Sequence, residues 1–284
     1  MKTPTRILLG DDGSRISSAA RQAAMDLARK WNANLHVMLV EGPGDGLGPE
    51  ISPDLVARCA AEDLACAIHE VTGDPARELR TASVALHAEL VVLGSHGRGD
   101  GMIPGGSVGR AVINAATTPV LIVREGTWPP ARIVVGDDGS SEARAAMDLA
   151  ADIGSAFEAR AFLVDALPEL REPGHDPMMM AMAKHIADEE AERLSEDSAA
   201  MRERLRGPAT GLLSHDTPAI AIRQSVADAG PGGHVLVAVG SSGRTEFERQ
   251  LGWSVSARAV NIEGASVLVV PRAWALQHER TGQT

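Results

Sequence analysis

The stretch Arg6-Ile-Leu-Leu-Gly-Asp-Asp-Gly-Ser14 (RILLGDDGS) returns as Arg132-Ile-Val-Val-Gly-Asp-Asp-Gly-Ser140 (RIVVGDDGS). A short apolar run stopped by an acidic, glycine-containing turn reads as a buried strand and its exit. Its return marks a duplication. Ala23-Ala-Met-Asp-Leu-Ala28 recurs as Ala145-Ala-Met-Asp-Leu-Ala150, and Val91-Val-Leu-Gly-Ser-His-Gly-Arg98 as Val237-Ala-Val-Gly-Ser-Ser-Gly-Arg244. Pro119-Val-Leu-Ile-Val123 is answered by Ser266-Val-Leu-Val-Val270. Four matches in one order define a tandem repeat. Between the copies, Arg124–Ala131 carries paired prolines, which end regular structure, so the expected domains are residues 1–127 and 128–284.

Within the first copy, Ile7–Leu9 and Leu35–Val40 read as strands flanking a helix with Ala20, Ala23, Ala24, Leu27, Ala28 and Trp31 on one face. Pro53–Ile68 reads as a helix running toward a third strand near Ala67–Val71. Asp74-Pro-Ala opens another helix. Leu90–Leu93 is a strand, Val108–Ala116 a helix, and Val120–Val123 the closing strand. Apolar strands alternating with helices predict an α/β fold with a parallel sheet covered on both faces. Such sheets take ligands beyond the carboxyl ends of their strands. The second copy is longer mainly in Pro168–Gly207, a charged helix replacing Gly42–Cys66. There Glu189 and Arg193 suit a solvated face, and Met178–Met180 with Met182 read as packing residues.

At 284 residues, 44% hydrophobic and 23% charged, the chain can build one large or two ordinary cores. A net charge of −11 argues against nucleic acid or an anionic membrane as the main partner. No apolar run approaches the roughly 18–20 residues of a membrane span, and the run after Arg6 is too short for a secretory signal. A cytoplasmic location is expected. Cys59 and Cys66 fall in one expected helix, as packed thiols rather than a disulfide.

Seven glycines occur between Gly94 and Arg110, directly after the Leu90–Leu93 strand. Glycine frees backbone N–H groups to converge on a ligand, and a helix starting near Ser107 adds orphan donors and a positive dipole end. That arrangement suits phosphate. Ser107 adds a hydroxyl, and Arg98 or Arg110 positive charge. Asp12 would repel phosphate and more readily accepts hydrogen bonds from a base or ribose. The competing reading is a loop without ligand and an Asp12 that merely begins a helix.

These residues resemble the universal stress protein family over essentially the whole chain, as two tandem domains. The resemblance rests on the strand followed by Asp12-Gly-Ser or Asp138-Gly-Ser, and on the helix starts Gly73-Asp-Pro-Ala76 and Asp216-Thr-Pro-Ala219. The glycine loop and the final apolar strand complete it. It implies two tandem five-stranded parallel sheets with helices on both faces, a Rossmann-like arrangement of the adenine nucleotide alpha hydrolase kind. Many members bind ATP without being efficient ATPases.

The family's nucleotide motif is Gly, two residues, Gly, nine residues, Gly, then Ser or Thr. Here eight residues separate Gly97 from Gly106-Ser107. In the second copy Gly240, Gly243 and Ser254 keep the spacing, but Trp253 takes the third glycine position, where it can block the backbone or turn its ring outward. Carried over, Asp12 and Val40 contact adenine or ribose, with Gly10, Asp11 and Leu93 at the same end. Gly94, Gly97, Arg98, Gly106, Ser107 and Val108 hold phosphates. The second-copy counterparts are Asp137, Asp138, Val164, Gly240, Gly243, Arg244, Ser254 and Val255. Asp137 and Asp138 are either Mg²⁺ holders or an acidic helix start.

The expectation is a stress-response regulator that binds ATP, with or without Mg²⁺, in one or both domains. The alternative is a nucleotide-free tandem module acting through protein contacts. No Ser/His/Asp set can be placed, His96 has Ser242 as its counterpart, and the nine histidines lack metal-ligand spacing, so no enzyme is expected. Family domains commonly pair through their last strands. Val120–Val123 and Val267–Val270 would therefore join the halves within one chain, or chains as a homodimer, because apolar edges need cover.

Overall fold

A computed structural model describes residues 2–14, 17–41, 53–95, 107–167, 176–230, 232–241 and 262–281. The first copy runs β1 (Arg6–Asp11), α1 (Ser18–Trp31), β2 (Asn34–Glu41), α2 (Pro53–Ala61), β3 (Cys66–Thr72), α3 (Pro75–Ala85), β4 (Leu90–Gly94), α4 (Ser107–Asn114) and β5 (Val120–Val123). The second runs β6 (Arg132–Gly136), α5 (Ser141–Phe157), β7 (Arg160–Ala166), α6 (Pro177–Leu205), β8 (Ala209–Ser214), α7 (Pro218–Ala227), β9 (Val235–Gly240), β10 (Ala265–Val270) and a closing α8 (Arg272–Thr281).

Each copy is a five-stranded parallel sheet, and the two are fused into one sheet ordered β3-β2-β1-β4-β5-β10-β9-β6-β7-β8. The joint is antiparallel, with Leu121 opposite Leu268. These two leucines are counterparts in the repeat, so the halves meet about a local two-fold relation. Each apolar edge covers the other, as the final-strand pairing anticipates. Arg124 donates its backbone N–H to Ser266 Oγ, and the Thr127 and Ser266 hydroxyls meet at 2.6 Å. Trp128 donates its indole N–H to Asp26 and packs edge-on against Phe157, which ties the linker to both halves.

Side-chain alternation along the strands sends Ile7, Leu9, Ile133 and Val135 into one core with α1 and α5, continuous across both copies. On the opposite face, Leu8, Met38 and Leu93 build one core and Val134, Val237 and Val267 another. Close approach sets glycine at Gly154, where an added Cβ would meet Ile133 and Leu205 at 2.5 Å. Asp74 caps α3 by accepting from the Arg77 N–H, as Asp-Pro-Ala predicts.

Three expectations are corrected. The helix from Pro53 stops at Ala61, because Asp63 takes a left-handed conformation (φ 52°) and the Leu64 N–H closes on the Cys59 carbonyl. Cys66 therefore opens β3. Its thiol still neighbours Cys59, and burial, with that neighbour, pushes it up to about 12, so it holds its proton at neutral pH. Met178, Met179, Met180 and Met182 are exposed rather than packed, since the buried positions of α6 begin only at Leu194. Arg193 is no solvated partner of Glu189, which instead lies 3.3 Å from His185. On the outer strands of the first half, His36 Nδ1 and His69 Nε2 lie 3.1 Å apart.

Candidate functional site

β1 and β4 are neighbours, with Gly10 opposite Leu93. β1 ends at Asp11 and β4 at Gly94, so the acidic turn and the start of the glycine segment share one sheet edge. Asp11 is opposite Leu39 of β2, so Val40 lies at the same edge. Val40, Leu93 and Val108, the second residue of α4, all join one apolar cluster, with Leu93 at its buried centre. The structure thus brings together Gly10, Asp11, Asp12, Val40, Leu93, Gly94 and the start of α4 at Ser107. Gly97, Arg98 and Gly106 lie outside the described residues, as do Gly243, Arg244, Trp253, Ser254 and Val255.

The turn after β1 is held by its own side chains. Asp12 Oδ1 accepts from the Ser14 N–H at 2.9 Å and from the Ser17 hydroxyl at 2.6 Å. Gly13 adopts φ 70°, a left-handed conformation that favours glycine. Its N–H donates to Asp11 Oδ1, which also receives Arg21 Nη1 at 2.8 Å. The other terminal nitrogen of Arg21 donates to the Ser14 carbonyl. Asp11 is buried, and among the described residues its Oδ2 has no hydrogen-bond partner. Burial pushes its carboxyl above the ordinary aspartate range, against the pull of Arg21 and the Gly13 N–H.

The second turn repeats this with a different cation. Asp137 Oδ1 accepts from the Gly139 N–H at 3.1 Å, Asp138 Oδ1 from the Ser140 N–H at 3.0 Å, and Gly139 has φ 72°. The repeat places Ala143 where the first copy has Arg21. The guanidinium comes instead from Arg193 of α6, whose Nη1 lies 3.0 Å from Asp137 and whose Nη2 lies 2.5 Å from Asp165 at the end of β7. Glu190 and Asp197, at 2.7 and 2.9 Å, complete the knot. Burial pushes Asp137 and Asp165 up, with Arg193 opposing. Burial also works against the Arg193 charge, but Glu190, Asp137 and Asp165 outweigh it and hold the proton more tightly than usual.

A further difference concerns the strand-end glycine of the second half. At Gly240 an added Cβ would lie 2.6 Å from the Glu142 Cβ and 3.2 Å from the α5 backbone. Glu142, buried in the first turn of α5, stands where the first copy has Ala20. Its carboxylate accepts from the Ser141 hydroxyl at 2.9 Å and lies 3.8 Å from Arg272. Val164, at the end of β7, packs in the corresponding apolar cluster.

Sequence reasoning missed Arg21, Arg193 and Glu142. Arg21 carries a local signal, being a cation in the first turns after an acidic turn. Arg193 carries none, because only the folded α6 brings it to Asp137.

A duplicated, doubly wound α/β unit with an acidic turn and a glycine segment on one strand-end edge is the class of protein this geometry defines. The model of the Universal stress protein family matches residues 4–124 and again 130–271, and the chain belongs to that family. A universal stress protein of Mycobacterium tuberculosis (strain ATCC 25618 / H37Rv) is 36% identical over 136 residues, 42% of this chain and 45% of the relative. One from Mycolicibacterium smegmatis is 35% identical over 133 residues, with the same coverage. The match thus spans less than half the length of these curated relatives.

Among solved structures, a functionally unknown protein from Pseudomonas aeruginosa PAO1 superposes with TM-score 0.67 at 16% identity, over 100% of this chain and 99% of that one. A universal stress protein from Archaeoglobus fulgidus DSM 4304 gives 0.60 at 16% identity, over 94% and 98%. Both establish the fold. Among the described residues no helix is long and apolar enough to cross a membrane.

Proposed function

We propose that this chain is a stress-response regulator whose first half, residues 1–127, binds an adenine nucleotide, and whose second half, residues 128–284, serves chiefly as a fused structural partner. The observation that carries the reading is the convergence of Asp12, Val40, Leu93, Gly94 and the start of α4 on one edge of the first sheet. Asp12 and Val40 would take the base and ribose, with Gly10 and Asp11 beneath them. Backbone N–H groups from Gly94, Gly97, Gly106, Ser107 and Val108, with Arg98, would take the phosphates.

The donor set fits a phosphate chain. Among the described residues no three His, Cys, Asp or Glu side chains gather to hold a metal, so Mg²⁺ enters this reading as the phosphates' own counter-ion. In the second half, Gly240 is pressed against the first turn of α5 at Glu142, whose carboxylate faces Ser141 and Arg272, and Arg193 is committed to four carboxylates. That observation favours protein contact over nucleotide binding as the role of residues 128–284. Regulation through occupancy, rather than turnover, is the activity proposed.

The test is titration of the full chain with a fluorescent ATP analogue, chased with ATP and Mg²⁺. One saturable site is expected, weakened about tenfold or more by Gly94→Val and unchanged by Gly240→Ala. No displaceable signal at about millimolar ATP, a weak limit on the affinity scale, would sink the reading.

A further inference from the structure

The methionines of this chain divide sharply by burial. Met25, Met38, Met147 and Met201 are buried, the least covered of them being Met147 at 7% exposure. Met178, Met179, Met180 and Met182 are 80%, 59%, 52% and 64% exposed. All four lie in the opening turns of α6, which begins at Pro177. Met178 and Met182 are one helical turn apart and share a face, and Met179 and Met180 carry the apolar surface around the helix.

The helix end that carries them is formed by its own backbone and cap. The Asp176 side chain accepts from the Met178 N–H at 2.9 Å, and the Asp176 carbonyl accepts from the Met180 N–H. No side chain from Pro177 to Arg193 is buried. Leu194, Ser198, Met201 and Leu205 then give α6 its buried face. Leu194 and Ser198 press on β8, where an added Cβ at Gly211 would meet them at 2.7 and 2.9 Å. Arg193 ties the start of that packed half to Asp137 and Asp165. The helix is thus anchored from Arg193 onward, and its methionine end stands in solvent. A thioether has no proton to lose, so access to the sulfur decides how fast an oxidant reaches it.

We infer that the opening turns of α6 are an oxidant-modification site, where a hydroperoxide converts Met178, Met179, Met180 and Met182 to sulfoxides while the fold stays intact. At each one a sulfur lone pair attacks a peroxide oxygen, the O–O bond breaks and an S–O bond forms. The sulfur gives up two electrons, and the proton on the transferred oxygen passes to the other oxygen, which leaves as water or an alcohol. A flexible apolar side chain becomes a polar, chiral one. In a core that change disrupts packing, but the buried face of α6 lies elsewhere. The exposed helix end therefore turns from apolar to polar. The same exposure admits methionine sulfoxide reductases, which restore the thioether. The cysteines do not compete, because Cys59 is buried and Cys66 keeps its proton at neutral pH. The inference does not depend on nucleotide binding.

Hydrogen peroxide is the probe, applied to the full chain for increasing times and mapped by peptide mass spectrometry. Met178, Met179, Met180 and Met182 should gain oxygen at least about tenfold faster than Met25, Met147 and Met201. The thermal midpoint of that product should fall by less than about 3 °C, the scale of a surface change. It should elute earlier from a hydrophobic-interaction column, and reductases for both sulfoxide epimers should restore mass and elution. Leucine at all four positions (Met178→Leu, Met179→Leu, Met180→Leu and Met182→Leu) keeps the apolar surface and the helix propensity but removes the thioethers. Elution of that variant should no longer respond to peroxide. The site is refuted if Met25, Met147 or Met201 is oxidised at the same rate, or if oxidation confined to the four lowers the midpoint by more than about 3 °C. A leucine variant whose elution shifts as far as the parent's would refute it too.

Discussion

The two halves place a buried aspartate at the same point, the end of their first strand, and neutralise it from different directions. In the first half Arg21 approaches Asp11 from the helix that follows at once in sequence. In the second, that helix carries Ala143, and α6, much longer than its counterpart α2, supplies Arg193 from 56 residues away. The charge balance at the turn is therefore the constant, and the residue that provides it is free to move. The local arrangement ties one carboxylate; the distant one ties four, and with them the ends of β6 and β7.

Removing each cation tests this difference most severely. Arg193→Met should cost about 3–5 kcal/mol in denaturant unfolding, the range for leaving buried charges without their partner. Arg21→Met should fall at the lower end, about 3 kcal/mol, because only Asp11 is orphaned. Burial already lifts Asp137 and Asp165 above their unfolded values, and loss of Arg193 lifts them further. Groups with raised folded-state pKa contribute stability that is present below their unfolded value, near 3.8, and lost as pH rises through the folded one. The deficit of Arg193→Met should thus shrink as pH is lowered toward 4. A larger loss from Arg21→Met, or a deficit that grows in acid, would break the comparison.

A smaller effect separates two strand glycines, Gly240 at the end of β9 and Gly10 in β1. Gly240→Ala would press a methyl against the Glu142 Cβ and the α5 backbone, and should cost about 1–3 kcal/mol through overpacking. Gly10→Ala meets the tips of the Leu93 and Leu79 side chains instead. Those can yield, so its cost should stay near the lower limit. Thermal midpoints of the two variants measure the difference, and equal losses would show that the α5 contact at Gly240 yields as readily as the Leu93 and Leu79 side chains at Gly10.

The smallest effect belongs to His36, found only in the first half. Burial, then the neighbouring His69 and Arg6, lowers its pKa. Its neutral form is therefore favoured by folding, and that stability is present above the unfolded value near 6.5 and lost as pH falls through the folded one. His36→Gln should flatten the change in thermal midpoint between about pH 7 and pH 5. An unchanged slope would assign that acid sensitivity elsewhere.

Most of the fold was readable because it is written twice. The strands around Ile7–Leu9 and Ile133–Val135 and the Asp74-Pro-Ala helix start rest on short-range patterns or on the repeat, and the pairing of Val120–Val123 with Val267–Val270 follows from the family resemblance. The errors share one cause, which is dependence on distant packing. Nothing near Cys66 announces that Asp63 will turn left-handed and end α2. Methionines 178–180 and 182 look like core residues until the buried positions of α6 are seen to begin at Leu194. The acidic turns were legible as a site, but the cations that make them tolerable were not, because Arg193 has no sequence neighbour to betray it.

The joint at Leu121 and Leu268 has an evolutionary corollary. Two separate copies meeting through this edge would carry every substitution twice, so a change useful in one member would be forced on the other. A covalent pair escapes that constraint and fixes a one-to-one ratio of unlike partners. One member can then carry an acidic residue such as Glu142, or take its arginine from a remote helix, while its twin carries Ala20 and the nearby Arg21.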